Sequence, residues 1–448
     1  MTLGEQLTAI VGETHVLTDP ALKSAYEHDL TGRFSGESLL VVRPGDAAQV
    51  AAVLETCAAA GAGIVVQGGH TGMVGGGTPR DGEVVVSMSR LRTTEPVDRA
   101  AAQVTVGAGV TLEELQRLVR AEGLDFPIDH GARSAATIGG MTATNAGGHL
   151  AVRYGTMRDQ VAGIEAVMPD GRVIRRLGGL LKDNAGFDLR GLLVGSEGVL
   201  AVITCVRLKL VPTRPRRATA LFGVAGMEDA LRVLDRLRSQ APSLEAIDFF
   251  QHAGLRHVCR RLGAPPPFAA DYPVYVIAEC AAEHDPTDDL AAAADIAADT
   301  AVAVDEPARR TLWAYRDALN ETVRGLGVPL KLDVSVPVGT TPAFEGALRS
   351  LVGSRMPEAE LILWGHLGDG NMHVNIVGAG AESEEIEEAV LRLVASLGGS
   401  ISAEHGVGQA KARWLALSRS EAELSTMRAV KAAFDPEWIL GRGRVLER

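Results

Sequence analysis

Residues Phe126 to Gly155 read FPIDHGARSAATIGGMTATNAGGHLAVRYG, and nothing in that run repeats at the period of a helix or a strand. Six glycines (Gly131, Gly139, Gly140, Gly147, Gly148, Gly155) let the backbone turn freely or lie bare against a partner. A loop of this length inside a compact protein is usually functional or disordered. This one is too apolar and too sparsely charged for a disordered linker. The expectation is a segment whose backbone amides line a large, flat, phosphate-bearing ligand. Taken alone, the stretch is also compatible with Gly/Ala-rich packing.

At 448 residues the chain needs two or three domains, and 46% hydrophobic content supplies their cores without disulfide or metal staples. The net charge of −12 argues against nucleic acid and anionic membrane as partners. An anionic substrate would therefore need a local cationic site. Cys57, Cys205, Cys259 and Cys280 stand far apart with no CxxC spacing, which speaks against zinc ribbons, iron–sulfur ligation and a disulfide framework. Reduced thiols in a cytoplasmic protein fit best. The N-terminus lacks a basic n-region, and no run of about 20 apolar residues suggests a transmembrane helix.

Strand, helix and strand are expected in succession at Leu39–Arg43, after Asp46, and at Gly63–Gln67. A second glycine-rich loop follows, Gln67 to Pro79. Thr111 and Glu114 form a capping box for a helix over Leu112–Glu122. Pro169-Asp170-Gly171 marks a hairpin. The composition breaks at PTRPRR, Pro212–Arg217, where a domain boundary is placed. Beyond it, alternating strands and helices predict an α+β domain with a mainly antiparallel sheet. Expected there are a long helix from Pro307 to about Gly325, strands at Lys331–Val338, Leu361–His366 and Met372–Val377, and a last helix from about Ala410 to Ala433.

Two glycine-rich loops in one half-chain can cradle a pyrophosphate with their N–H groups. Neither matches the dinucleotide fingerprint or the P-loop. A dinucleotide held by loops between sheets is the reading that remains. In the second half, GHLGDGNMH (Gly365–His373) sets two histidines on either side of a glycine turn, where strand–turn–strand geometry would let the imidazoles face each other. SAEHGVG (Ser402–Gly408) adds an adjacent carboxylate and imidazole. Two His and one Glu form a sound divalent-metal set with positions open for water or substrate. Arg316, on a helix, and Lys331, at the start of the next strand, could converge as a carboxylate clamp. Two solvated surface charges would be the plain alternative.

Together the strings QGGHTGMVGG, ATIGGMTATNAGG, RYGTMRDQVAGIEAVMPDG, KDNAGFDL, LLVGSEG, GHLGDGNMHVN and SAEHGVG, in that order, resemble flavoproteins of the vanillyl-alcohol oxidase type. The branch they resemble is the D-2-hydroxyacid dehydrogenases: D-2-hydroxyglutarate and D-lactate dehydrogenases and the catalytic glycolate oxidase subunit. The fold this implies is α+β. A two-lobed N-terminal FAD-binding domain (PCMH type) would span 1–212, and a C-terminal α+β substrate- and metal-binding cap with a ferredoxin-like antiparallel sheet 213–430. A tail over 431–448 would return to the FAD domain.

By the resemblance, FAD contacts fall on Gln67, Gly68, Gly69, His70, Thr71, Gly72, Pro127, Asp129, Thr137, Gly139, Gly140, Asn145, Glu197, Gly198, Ile203 and Asn371. The ligands of a divalent metal, Zn2+, fall on His366, His373 and Glu404, and the general base on His405. Substrate contacts fall on Arg316, Lys331 and Asn375, with Asn320 beside them. The reaction implied is metal-assisted oxidation of a D-2-hydroxy acid to the 2-oxo acid, with hydride to flavin N5. Two cations favour D-2-hydroxyglutarate over D-lactate or glycolate. Electrons would leave to a separate acceptor, an electron-transfer flavoprotein or a quinone-linked carrier, and a homodimer is compatible with the sequence.

The chain departs from the family at several points. Asn320 stands in place of a Thr, His70 in place of an Asn, and Gly441 and Arg442 in place of Asn and Pro. His70, beside Gly68-Gly69, makes an 8α-histidyl FAD link conceivable. Readings of other classes are a flavin-free metal-dependent hydrolase on His366, His373 and Glu404, and a catalytically silent flavin-binding subunit.

Overall fold

The computed structural model describes residues 1–380 and 383–448. The chain forms two units. One comprises Met1–Gly147, Gly155–Thr213 and Glu404–Arg448, the other Gly148–Tyr154 and Arg214–Ala403.

The first unit has two four-stranded sheets. Val16–Leu17 (β1), Leu40–Val42 (β2), Ile64–Gln67 (β3) and Val84–Ser87 (β4) form one, in the order β1-β2-β4-β3. Here β2, β4 and β3 run parallel, because each connection is a crossover. The first crossover contains helix Ala47–Ala59, capped by Asp46 accepting from Gln49 N at 2.8 Å, as its sequence predicts. Its face of Val50, Val53, Leu54 and Cys57 is fully buried. The second crossover contains the glycine loop.

Gln103–Gly107 (β5), Val161–Val167 (β7), Val173–Arg176 (β8) and Val202–Lys209 (β9) form the antiparallel sheet β5-β9-β7-β8. Leu124–Asp125 (β6) pairs with Val211–Pro212 (β10) outside it. The capping box at Thr111 and Glu114 is present as predicted, and the helix it opens runs Leu112–Arg120. The β7–β8 hairpin turns at Pro169-Asp170-Gly171, with Gly171 at φ +79°.

Residues 404–448 close this unit. Ile64 N donates to Ile439 O and Gly441 N to Ile64 O, which sets the chain's end beside β3. Lys431, buried, donates to Val199 O (2.7 Å), to Leu440 O (3.0 Å) and to Asp435. Asp435 in turn accepts from Ile439 N and Leu440 N. Every polar group in this knot has a partner, the condition under which an ion pair survives in a core.

The second unit is one seven-stranded sheet, antiparallel throughout. Its strands are Arg216–Val224 (β11), Leu244–Gln251 (β12), Val274–Ala282 (β13), Asp299–Ala303 (β14), Leu330–Ser335 (β15), Glu360–His366 (β16) and Asn371–Val377 (β17), in the order β14-β11-β13-β12-β16-β17-β15. Helices Met227–Gln240, His252–Leu262, Glu306–Asp317, Thr341–Arg355 and Ser383–Ser396 accompany it. The α+β class and the antiparallel C-terminal sheet agree with the sequence. Residues 148–154 belong here because Arg153 donates to Pro242 O and Leu244 O, each at 2.9 Å, and Tyr154 OH to Glu245.

Three expected elements differ. The stretch from Phe126 to Gly155 holds two short helices, Ile138–Thr144 and Ala151–Tyr154, the first opened by Thr137 and ended by Asn145 in the left-handed region. Gly-rich helices this short show no usable period. The helix expected over 307–325 breaks at Ala318 into Glu306–Asp317 and Leu319–Arg324. The last helix begins at Glu421 rather than near Ala410, because Ser420 and Glu423 make a capping box there, and a 3-10 segment, Ala412–Leu417, precedes it.

Candidate functional site

In the first unit the two glycine stretches meet. A Cβ on Gly68 would fall on Thr137 Oγ1, and one on Gly69 on the carbonyl of Ala135, closer than any side chain tolerates. The loop after β3 therefore lies backbone-to-backbone on residues 135–140, which is what glycine at these two positions makes possible. Gln67 closes the loop's base by donating to Tyr26 O (2.6 Å) and Gly77 O (2.7 Å). His70 sits at φ +52° with Nε2 3.4 Å from Thr78 Oγ1, and burial pushes its pKa down. Gly72 is exposed, and an added Cβ there would meet nothing within 4 Å.

Thr137 Oγ1 caps the helix that follows by accepting from Gly140 N at 3.3 Å. Gly139 presses on Ala108, with its N–H on the Ala108 carbonyl at 2.9 Å. Asn145 Oδ1 accepts from Thr156 Oγ1 (3.0 Å) and Arg158 N (2.9 Å). Pro127 is buried, Asp129 pairs with Arg133 at 2.9 Å, and Ile203 is a buried residue of β9.

Glu197, at φ +53° before Gly198 at φ +73°, accepts from Val407 N and Gly408 N, each at 2.8 Å. Burial pushes its carboxyl up, while the two N–H groups and Lys411 pull it back. Glu197 thus holds the segment that follows Glu404 and His405, and Gln409 N on Val74 O (2.9 Å) fastens the same segment to the first glycine loop. Glu404 also lies beside Gly147, at 3.7 Å from where a Cβ would stand, and Thr71 continues the loop between His70 and Gly72.

These residues fit a flavin dinucleotide on three grounds. Three non-glycine residues with positive φ (His70, Asn145, Glu197) lie in these loops, and such strain concentrates where backbone is shaped around a ligand. Two buried polar atoms, Asp129 Oδ1 and Ser196 Oγ, have no hydrogen-bond partner among the described residues and suit the ring N–H and hydroxyls of a flavin. The glycine loop presents bare backbone of the kind that binds pyrophosphate.

The second unit holds the histidines. In the β16–β17 hairpin His366 is opposite Asn371 and Trp364 opposite His373, so the two histidines are diagonal neighbours on one face. Their ring centroids are 5.5 Å apart with planes at 80°, and their ring nitrogens come within 4.8 Å.

Each histidine meets a buried carboxylate that the sequence reading did not single out. Asp248 on β12 places Oδ1 2.7 Å from His366 Nδ1. Asp333 on β15 places Oδ1 3.4 Å from His373 Nδ1 and accepts from Asn371 Nδ2 at 2.9 Å. A proton on His366 Nδ1, within hydrogen-bond reach of Asp248, leaves the lone pair for a metal on Nε2, the usual arrangement behind metal-bound imidazoles; Asp333 stands at longer range behind His373. The donor set thus fits a divalent ion. Asn371 Oδ1 is buried and has no hydrogen-bond partner among the described residues.

Asp248 has a second neighbour, Arg316 Nε, 2.8 Å from Oδ2. The N–H is not aimed at the oxygen, so this is an ion pair rather than a hydrogen bond. Burial would raise the Asp248 carboxyl, but His366, Arg316 and, more weakly, His149 hold it well below the usual carboxylate range. Lys331 donates to Asn320 Oδ1 at 2.8 Å and is opposite Asn375 across β15 and β17. Asn375 donates to His373 O at 3.2 Å. Arg316 and Asn320 are four residues apart across the break at Ala318, so the two cations attach to successive turns. Ala403 N donates to Asp333 O at 3.4 Å, and the chain passes from the second unit to the first between Ala403 and Glu404.

No helix among the described residues is long and apolar enough to cross a membrane. The family described as "FAD binding domain" matches residues 38–176, and "FAD linked oxidases, C-terminal domain" matches residues 213–445. A protein of Xanthomonas citri pv. viticola named D-2-hydroxyglutarate dehydrogenase is 33% identical, over 96% of this chain and 94% of its own length. One of the same name from Stutzerimonas stutzeri is 33% identical over 98% of both chains. Among solved structures, 4-ethylphenol oxidase from Gulosibacter chungangensis superimposes with a TM-score of 0.75 at 16% identity, covering 99% of this chain and 96% of its own, which shows a shared fold.

Proposed function

Because the chain belongs to the family of FAD-linked oxidases and is an FAD-dependent oxidoreductase, we propose that it oxidises a D-2-hydroxy acid, D-2-hydroxyglutarate, to the 2-oxo acid with the help of a divalent metal. The observation that carries the metal-assisted reading is the pair of diagonal imidazoles, each with Nδ1 against a buried carboxylate. His366 and His373 would hold the ion through Nε2. Glu404, next in the chain after Ala403, would complete the set. Zn2+ is the ion this donor set suits.

When bound, the flavin supplies a two-electron acceptor and the metal a Lewis acid at the 2-hydroxyl. His405 takes the proton from the 2-hydroxyl oxygen. Arg316 and Lys331 hold the distal carboxylate, with Asn375 at the same end of the sheet. Gly68, Gly69, Thr71 and Gly72 carry the pyrophosphate, and residues 127–145 and 197–203 flank the rest of the cofactor. Electrons leave the enzyme for a separate carrier, an electron-transfer flavoprotein or a quinone-linked one.

D-Lactate or glycolate is the alternative substrate, favoured by one observation: Arg316 already faces Asp248, which leaves less positive charge for a second carboxylate. Anaerobic addition of each acid while the flavin band near roughly 450 nm is followed decides between them. Bleaching by D-2-hydroxyglutarate at lower concentration than by D-lactate is expected. Bleaching by neither would remove the hydroxy-acid reading.

A further inference from the structure

Asp248 lies in the middle of β12, 1% exposed, with a different partner at each oxygen. His366 Nδ1 is 2.7 Å from Oδ1 and Arg316 Nε 2.8 Å from Oδ2. The residues on the same face of the strand, Ala246 and Phe250, are buried hydrophobics, so this face of the sheet would accept an apolar residue here. A carboxylate in such a place is costly unless both oxygens are matched. The matching partners come from two parts of the proposed site, one from the imidazole pair and one from the carboxylate clamp. Asp333 offers a contrast, since it meets His373 and Asn371.

We propose that Asp248 is a positioning residue that couples the metal end of the site to the substrate-carboxylate end. This rests on the metal-assisted reading above. One carboxylate orients the His366 ring so that Nε2 serves the metal, and pins the guanidinium of Arg316 by its inner edge. A carboxylate has an acceptor for each partner, whereas an amide has one acceptor and one donor. Asparagine at 248 can therefore satisfy His366 or Arg316 but not both, and it leaves the guanidinium without its counter-charge.

The test uses flavin-loaded enzyme stripped of metal by a chelator, titrated calorimetrically with Zn2+, and separately the KM for D-2-hydroxyglutarate at saturating Zn2+. Asp248→Asn should weaken zinc binding about 10- to 100-fold, as loss of a carboxylate behind a metal-bound histidine does, and also raise KM at saturating zinc about tenfold or more. Asp333→Asn should weaken zinc binding similarly and move KM by less than about threefold.

Wild-type zinc affinity in Asp248→Asn, or a KM change no greater than that of Asp333→Asn, overturns the coupling. Should Asp248→Asn fail to fold, the double variant Asp248→Asn/Arg316→Met removes the uncompensated cation. It must then bind zinc more weakly than Arg316→Met alone, and equal affinities overturn the proposal. A wild-type enzyme that takes up no zinc overturns the metal-assisted reading itself, and the coupling with it.

Discussion

Lys331 gives a hydrogen bond of 2.8 Å to Asn320 Oδ1, an acceptor that neutralises none of its charge. Burial first, and Arg324 second, pull the ammonium down to about 8. Lys331 is therefore cationic below about pH 8 and loses its charge as the pH rises through that value. The KM for D-2-hydroxyglutarate should rise across the same interval. Lys331→Arg keeps its charge at every working pH and should remove the rise. KM profiles of the two enzymes from about pH 7 to about pH 9.5 check this; a flat wild-type profile removes Lys331 from the carboxylate site.

Gly69 and Gly72 lie three residues apart and should respond differently to alanine. At Gly69 the new methyl collides with the Ala135 carbonyl, so the protein itself is destabilised. At Gly72 the methyl meets no protein atom within 4 Å and no positive φ is involved, so the apoprotein should melt as wild type does. FAD retention should nevertheless fall if phosphate lies on this backbone. Melting curves of apoprotein and flavin-to-protein ratios of both variants measure the contrast. Full flavin content in Gly72→Ala would move the phosphates elsewhere.

His405→Ala should lower kcat by about 10²- to 10⁴-fold, the usual contribution of a general base, while bound flavin is retained. Rapid-reaction measurement of the anaerobic reductive half-reaction isolates the step. An unchanged rate would exclude His405 as the base.

Lys431→Met should cost about 3–5 kcal/mol, because Asp435 would stay buried with its cation gone. Lys431→Met combined with Asp435→Leu should recover much of the loss. Denaturant unfolding of the single and double variants provides the comparison. Equal stabilities for the two would show that the pair contributes through its backbone hydrogen bonds alone.

Much of the fold was legible where one local interaction decides the outcome. Asp46 and the Thr111–Glu114 pair begin helices because each supplies a cap within three residues, and Pro169-Asp170-Gly171 turns a hairpin because Gly171 takes positive φ. The GHLGDGNMH string foretold a strand–turn–strand that brings the two imidazoles together, because strand alternation and a glycine turn act locally; the register makes them diagonal neighbours. Register across the sheet is a different matter. Asp248 reaches His366 over 118 positions of sequence, and Arg444, buried against Glu83, spans 361.

The sequence by itself determined the α+β class and the two glycine loops, since these follow from local spacing and residue chemistry. Only the tertiary structure decided that Asp248 and Asp333 stand behind the histidines, that Lys331 leans on Asn320, and that Glu197 clamps the Val407–Gly408 backbone. The physical reason is that a buried polar group must find its partner wherever strand order brings one, and strand order is a property of the whole sheet.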